Sequence, residues 1–256
     1  MNEATRPDEA FWKRASVLVA LGLLGVAALA LHPIPEHLLR AQPELAQVPV
    51  WTLKLLGMLN PVVLLIVASL CGALVAHRVG LRSVLAGTVP AEEVSRGWGL
   101  AAGLGLVTGV VLVGLDVMAA PWVGGSWEQW LWQAAQPTLQ SSAVGVFYGG
   151  INEEILMRWG LMSVLAWGLC SLIGQRWRGP ALLAAAMLTA LVFGAAHLPA
   201  LAAQLELTNA ILVRTLVLNG LAALVYAWVF WRHHLEAAMV SHACSHLAMG
   251  ALWGML

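Results

Sequence analysis

Seven apolar stretches dominate this chain: residues 15–31, 55–76, 97–120, 138–173, 181–197, 209–231 and 235–256. A helix needs about 20 apolar residues to cross the hydrocarbon core of a bilayer. In lipid no water is at hand for backbone N–H and C=O groups, so a spanning segment must satisfy them itself and becomes a helix. The expected fold class is therefore all-α, a polytopic transmembrane helical bundle of about 7–8 spans. A polar N-terminal tail, 1–14, would precede a single membrane domain, 15–256. Composition agrees. Residues are 60% hydrophobic and only 10% charged, against about 25% charged in soluble domains, which leaves no room for a sizeable soluble domain. The formal net charge is zero, so no nucleic-acid partner is expected. Cys71, Cys170 and Cys244 all lie in apolar runs without metal-type spacing and are expected to pack as small hydrophobes.

Orientation follows from the loops. Counting Lys and Arg, the tail has three, the first loop one, the second three and the third none; the loop after residue 173 has two, the next none and the last turn one. By the positive-inside rule this alternation gives seven spans in a multi-pass cell (inner or plasma) membrane protein, with a cytoplasmic N-terminus and an outer C-terminus. Lys13-Arg14 and Ala28-Leu29-Ala30 resemble a signal peptide, but the length of the run and the spans behind it favour a retained helix. The first loop, 32–50, is Pro-rich, and Pro61 sits early in the second span as a candidate kink. Residues 77–96 form a polar loop. Gly99, Gly103, Gly105 and Gly109 in the third span allow close helix approach. Trp127, Trp130 and Leu131 fall at helical spacing in a stretch free of Lys and Arg, as in an interfacial amphipathic turn. Trp12, Trp51, Trp98, Trp122, Trp177 and Trp231 lie near the ends of apolar runs, where indoles form interfacial belts.

Against this background Glu153, Glu154 and Arg158 stand out. Each charge at membrane depth costs about 3 kcal/mol on insertion scales, and such residues are functional by default. Glu154 and Arg158 are i,i+4, the better orientation for a helical ion pair. Glu153 points about 100° away from Glu154 and is left without a local partner. A neutralised carboxylate beside a free one suits acid–base chemistry; the plainer reading is a buried pair that staples two helices. His197, near a helix end before Leu198-Pro199, would by itself be a capping or interface residue. His242 and His246 share a helix face at i,i+4, a spacing also used for metal pairs, although Ala243 stands where a zincin helix carries glutamate. His233 and His234 are expected to be solvated turn residues. Asp116 can snorkel from a span end, and Arg214 can pair with Asp116, Glu206 or a headgroup; neither is assigned chemistry.

Taken in order, Glu153-Glu154-x-x-x-Arg158, Phe193-x-x-x-His197 and His242-x-x-x-His246 resemble the three motifs of the CAAX protease and bacteriocin-processing (CPBP, or Abi) family. These are intramembrane glutamic endopeptidases. Asn219-Gly220-Leu221 through Leu235-Glu236-Ala237-Ala238 also resembles that family's penultimate helix and turn, and residues 138–250 would be the catalytic core. The resemblance implies that Glu153 is the general base that activates water and that His197 holds the water with it. Glu154 and Arg158 would support the site, and His242 and His246 would form the oxyanion hole. It implies no metal and no cofactor. Its substrates would be membrane-embedded or membrane-tethered peptides or proteins, such as prenylated CAAX termini, bacteriocin leaders and C-terminal sorting tails. The chain departs from the pattern at residue 246, where the family usually has Asn or Asp; a neutral histidine still has one N–H to donate. It departs also in the longer separation of Glu154 from His197. Straight rods would place Glu153 and His197 at different depths, so a shared site requires a tilted or broken helix. Two rival readings remain. Glu153, His197, His242 and His246 would suit a His/carboxylate metal site, making a metal-dependent membrane protease. A scaffold, immunity protein or transporter would use the buried charges structurally.

Overall fold

The computed structural model describes residues 7–34, 38–39, 42–134 and 138–255. Residues 1–6 of the expected tail, Pro35, Arg40, 135–137 and Leu256 lie outside them. Every regular element among the described residues is helical: α1 (Pro7–Ala28), α2 (Val50–Val75), α3 (Trp98–Val123), α4 (Gly125–Ala134), α5 (Leu139–Ile173), α6 (Arg178–Ala196), α7 (Leu198–Ala202), α8 (Asn209–Arg232) and α9 (Leu235–Trp253). Helix α1 carries Asp8 and Glu9 in its first turn, where carboxylates meet the positive end of the helix dipole. Pro61 is accommodated inside α2.

Six of the helices are long and apolar enough to cross a membrane, a multi-pass architecture. The seventh expected span, α9, is not among these six. Glu236, Ser241, His242 and Ser245 dilute its hydropathy, and all four are buried. Its polar groups face protein, not lipid. Helix α9 packs most extensively against α3. Of the five α3 glycines, Gly105 and Gly109 press on the backbone carbonyls of Ser241 and Ser245, where no side chain would fit, whereas Gly99, Gly103 and Gly114 face open space. Close approach therefore accounts for two of them.

The segments at the two ends sort as the Lys/Arg alternation requires. At one end Arg14 meets His77 (3.3 Å), Arg178 donates to the Val79 carbonyl (2.6 Å) and the Leu235 amide donates to the Arg82 carbonyl (3.0 Å). At the other, Lys54 reaches the Ala30 carbonyl and Trp130 donates to Gln204. There α4 folds back as the expected amphipathic element, but Trp127 and Leu131 are buried against Ala120, Leu201 and Ile211. Trp12, Trp51, Trp122 and Trp177 remain exposed near the helix ends, as a belt requires.

His234 corrects its expectation. It is buried, not solvated, and Nδ1 accepts from the Ala237 amide as the N-cap of α9. The physical reason is Glu236, whose carboxylate accepts from Ser83 Oγ (2.6 Å) and from the Val84 and Leu85 amides (2.9 and 3.0 Å). That clamp folds the 83–88 loop over the start of α9.

Candidate active site

The long helix α5 is wound as α only at its ends. Residues Gly145–Glu153 and Ile155–Met162 are π-helical. A π-helix bonds i to i+5, is rare, and occurs mostly at functional sites. Here it coincides with the run Gly149-Gly150-x-x-Glu153-Glu154. Along the same stretch α9 comes close enough that a Cβ on Gly145 would lie 2.7 Å from His246 Nδ1. One on Gly149 would lie 2.7 Å from His246 Nε2, and one on Gly150 3.0 Å from the Ala243 Cβ. The glycines make room for the imidazoles of α9 against α5.

Glu154 and Arg158 are both fully buried and form the i,i+4 pair, Nε to Oε2 3.2 Å. Arg158 also donates from Nη2 to the Ala223 carbonyl of α8 (3.0 Å). Its guanidinium lies over the rings of Phe193 (5.0 Å) and Tyr226 (5.3 Å). A buried cation thus has a carboxylate, a carbonyl and two π-faces about it. The other oxygen of Glu154 meets His242 Nδ1 at 2.8 Å. Glu153 turns elsewhere. Its side chain is 21% exposed, and Oε2 lies 3.8 Å from His242 Nε2. That gap is too long for a direct hydrogen bond and suits a bridging water. The ring of His242 therefore stands between the two carboxylates, one on each nitrogen.

His242 is stacked between Tyr226 (centroids 4.3 Å) and His246 (5.0 Å). His197 follows the last residue of α6, and its Nδ1 lies 2.7 Å from the Phe193 carbonyl. A carbonyl only accepts, so Nδ1 carries the proton there, and in the neutral ring Nε2 is an acceptor. His197, His242 and His246 line one cavity of about 120 Å³, together with Phe193, Tyr226 and Asn219. A polar void of that size has room for several waters. Among the described residues, no group of three or more His, Cys, Asp and Glu side chains is arranged to hold a metal ion.

The structure brings together more than the motifs named. Tyr226, one of only two tyrosines, covers His242 and hydrogen-bonds Ser245; a lone phenol in an apolar run was its only signal. Asp116 and Arg214 form a bidentate pair on the cavity wall. Trp127 donates to Asp116 (3.2 Å) and its ring lies 4.1 Å from the Arg214 guanidinium. Of the partners open to Arg214 in the sequence, Asp116 is the one it takes, and the pair faces the same cavity as the histidines.

Residues 135–248 match the model of a protein family described as type II CAAX prenyl endopeptidase, Rce1-like. All six motif residues fall inside the match, and the family matched is of the same CAAX-endopeptidase kind as the one the motifs resemble. No curated protein and no solved structure matches the chain.

Proposed function

We propose that this chain, CAAX-peptidase-like through the segment that holds its buried charges, is an intramembrane endopeptidase in which Glu153 activates the attacking water. The observation that carries this is the different treatment of two adjacent carboxylates. Glu154 is buried against Arg158 and His242 Nδ1. Glu153 is partly exposed, its Oε2 lies 3.8 Å from His242 Nε2, and it has no hydrogen-bond partner among the described residues. A general base needs a free lone pair within reach of the proton it takes, directly or through one water.

In this mechanism Glu153 accepts a proton from water while the water oxygen attacks the scissile carbonyl carbon. The C=O electrons move to oxygen, giving a tetrahedral oxyanion. The C–N bond then breaks, and the proton held by Glu153 passes to the departing amine. His197, with Nε2 as an acceptor, helps orient the water. His246 faces the oxyanion, and His242 joins it in the state with a proton on Nε2, a role preorganised donors perform in a site that excludes bulk water. The contact of Glu154 with His242 governs which way Nε2 works. A protonated Glu154 gives its hydrogen to Nδ1 and leaves Nε2–H free to donate. An ionised Glu154 draws the proton to Nδ1 and turns Nε2 into an acceptor. Substrates are peptides or proteins presented from the bilayer.

The test is Glu153→Gln, assayed on membrane-anchored peptide substrates with the purified protein in lipid. Losing a positioned general base costs about 10²–10⁴-fold, so cleavage should fall by that much while the unfolding temperature stays within about a degree, since little of the side chain is buried pairing. Wild-type turnover in this variant would overturn the assignment.

A further inference from the structure

At the end where the Lys- and Arg-bearing loops gather lies a second cavity, of about 170 Å³, with no part in the hydrolytic site. It is lined by Arg82, Val89, Glu93, Arg96, Arg232, His233 and His234. These come from the loop before α3 and the turn between α8 and α9, more than a hundred residues apart in sequence. Three guanidiniums meet one carboxylate. Arg82 is engaged by Glu93 at 2.6 Å, and among the described residues neither Arg96 nor Arg232 has an ion-pair partner. Both are exposed at the rim.

Three further features share this position. Helix α3 begins at Trp98, and its N-cap, Gly97 (φ 92°), has no capping side chain, so the first amides of a 26-residue helix are left for an acceptor. His233 lies so close that a Cβ on Gly97 would sit 2.5 Å from its Nδ1. His234, buried in the cavity wall, has no partner for Nε2 among the described residues. Its Nδ1 meets both the Ala237 amide and the Glu236 carboxylate, each at 3.2 Å, so Nε2 is the one nitrogen of the ring left unpaired. The electrostatic surroundings are positive: burial first, then His234, Arg232 and Arg82, hold the His233 imidazole below its usual range.

We infer that this cavity binds a phosphate group, gripped by Arg96 and Arg232 against the open N-terminus of α3. Guanidinium forks bind phosphate oxygens bidentately, and a helix N-terminus supplies amides and a favourable dipole. The cavity lies at the end of α8, a helix long and apolar enough to cross a membrane, and at the ends of such helices the polar headgroup region begins. Basic pockets between transmembrane helices on the positively charged side bind anionic headgroups. A lipid phosphodiester and free phosphate share this chemistry, and titration tells them apart. The site stands whether or not the chain is a peptidase.

Three probes are titrated into the detergent-purified protein and adducts counted by native mass spectrometry: dioctanoyl phosphatidylglycerol, dioctanoylglycerol without phosphate, and inorganic phosphate. One saturable phosphatidylglycerol per chain is expected, with at least tenfold weaker binding in the double variant Arg96→Gln/Arg232→Gln. The variant Arg176→Gln removes a guanidinium elsewhere at the same end and should bind as wild type does. Dioctanoylglycerol should show no saturable adduct. If inorganic phosphate binds as tightly as the lipid and with the same sensitivity, the source is soluble and the site stands. The inference is overturned if dioctanoylglycerol binds as phosphatidylglycerol does, if Arg176→Gln weakens binding equally, or if the double variant, shown folded by an unchanged unfolding temperature, binds every probe like wild type.

Discussion

Neutralising one side of the Glu154–Arg158 pair should cost far more than neutralising both. The two side chains are fully buried with Nε and Oε2 3.2 Å apart, and at an effective dielectric of 20 their attraction is about 5 kcal/mol. Most of that offsets desolvation, so the net worth of the pair is small, whereas breaking it strands a buried charge at about 3–5 kcal/mol. The two sides are not equivalent. In Glu154→Gln the guanidinium keeps the Ala223 carbonyl and the faces of Phe193 and Tyr226. In Arg158→Met the carboxylate keeps only His242. Arg158→Met should therefore be the worse single substitution, by about 1–2 kcal/mol, the scale of a hydrogen bond to a charged group. In the double variant the stranded charge disappears, and the total loss should fall short of the sum by at least about 2 kcal/mol, the coupling expected of residues in one network. Reversible unfolding in mixed micelles, followed by tryptophan fluorescence for all four proteins, measures the cycle. Additive losses, or a milder Arg158→Met, would refute the claim that Arg158 exists to balance Glu154.

Two further substitutions probe how the site and its frame are held. Gly149→Ala puts a methyl 2.7 Å from His246 Nε2 and 3.5 Å from His242 Nε2. A shift of about 1 Å in groups that position the reaction costs about 10²-fold, so turnover should fall by that factor, while Gly168→Ala, where nothing lies within 4 Å, leaves it unchanged; equal turnover in both variants would show that the close approach is irrelevant. Glu236→Ala removes the acceptor shared by Ser83, Val84 and Leu85, at a cost of about 3 kcal/mol for hydrogen bonds to a charged group. Hydrogen exchange at 84–88 should accelerate selectively, and unchanged protection there would show that the loop is held by other contacts.

Much of this protein follows from its sequence, because the bilayer leaves few choices. Long apolar runs must be helices, and the Lys/Arg alternation sorted the loops into the two groups that meet at opposite ends. Local spacing sufficed for the Glu154–Arg158 pair, since i,i+4 neighbours on one helix meet whatever surrounds them. It sufficed also for the shared face of His242 and His246. Everything that depends on how helices lie against each other was decided by the tertiary structure. The π-winding of residues 145–162 carries no local signature beyond its glycines. Helix α9 was legible as an apolar run, but that its polar side is turned into protein was not, since this depends on its packing against α3 and α5. His234 looked like a solvated turn residue until the loop clamped by Glu236 closed over it. The meeting of Asp116 with Arg214, and of Glu153 with His242, joins residues 98 and 89 positions apart. A buried charge shows in sequence that a partner is required, because desolvation makes solitude costly; which partner it takes depends on helix packing across the bundle.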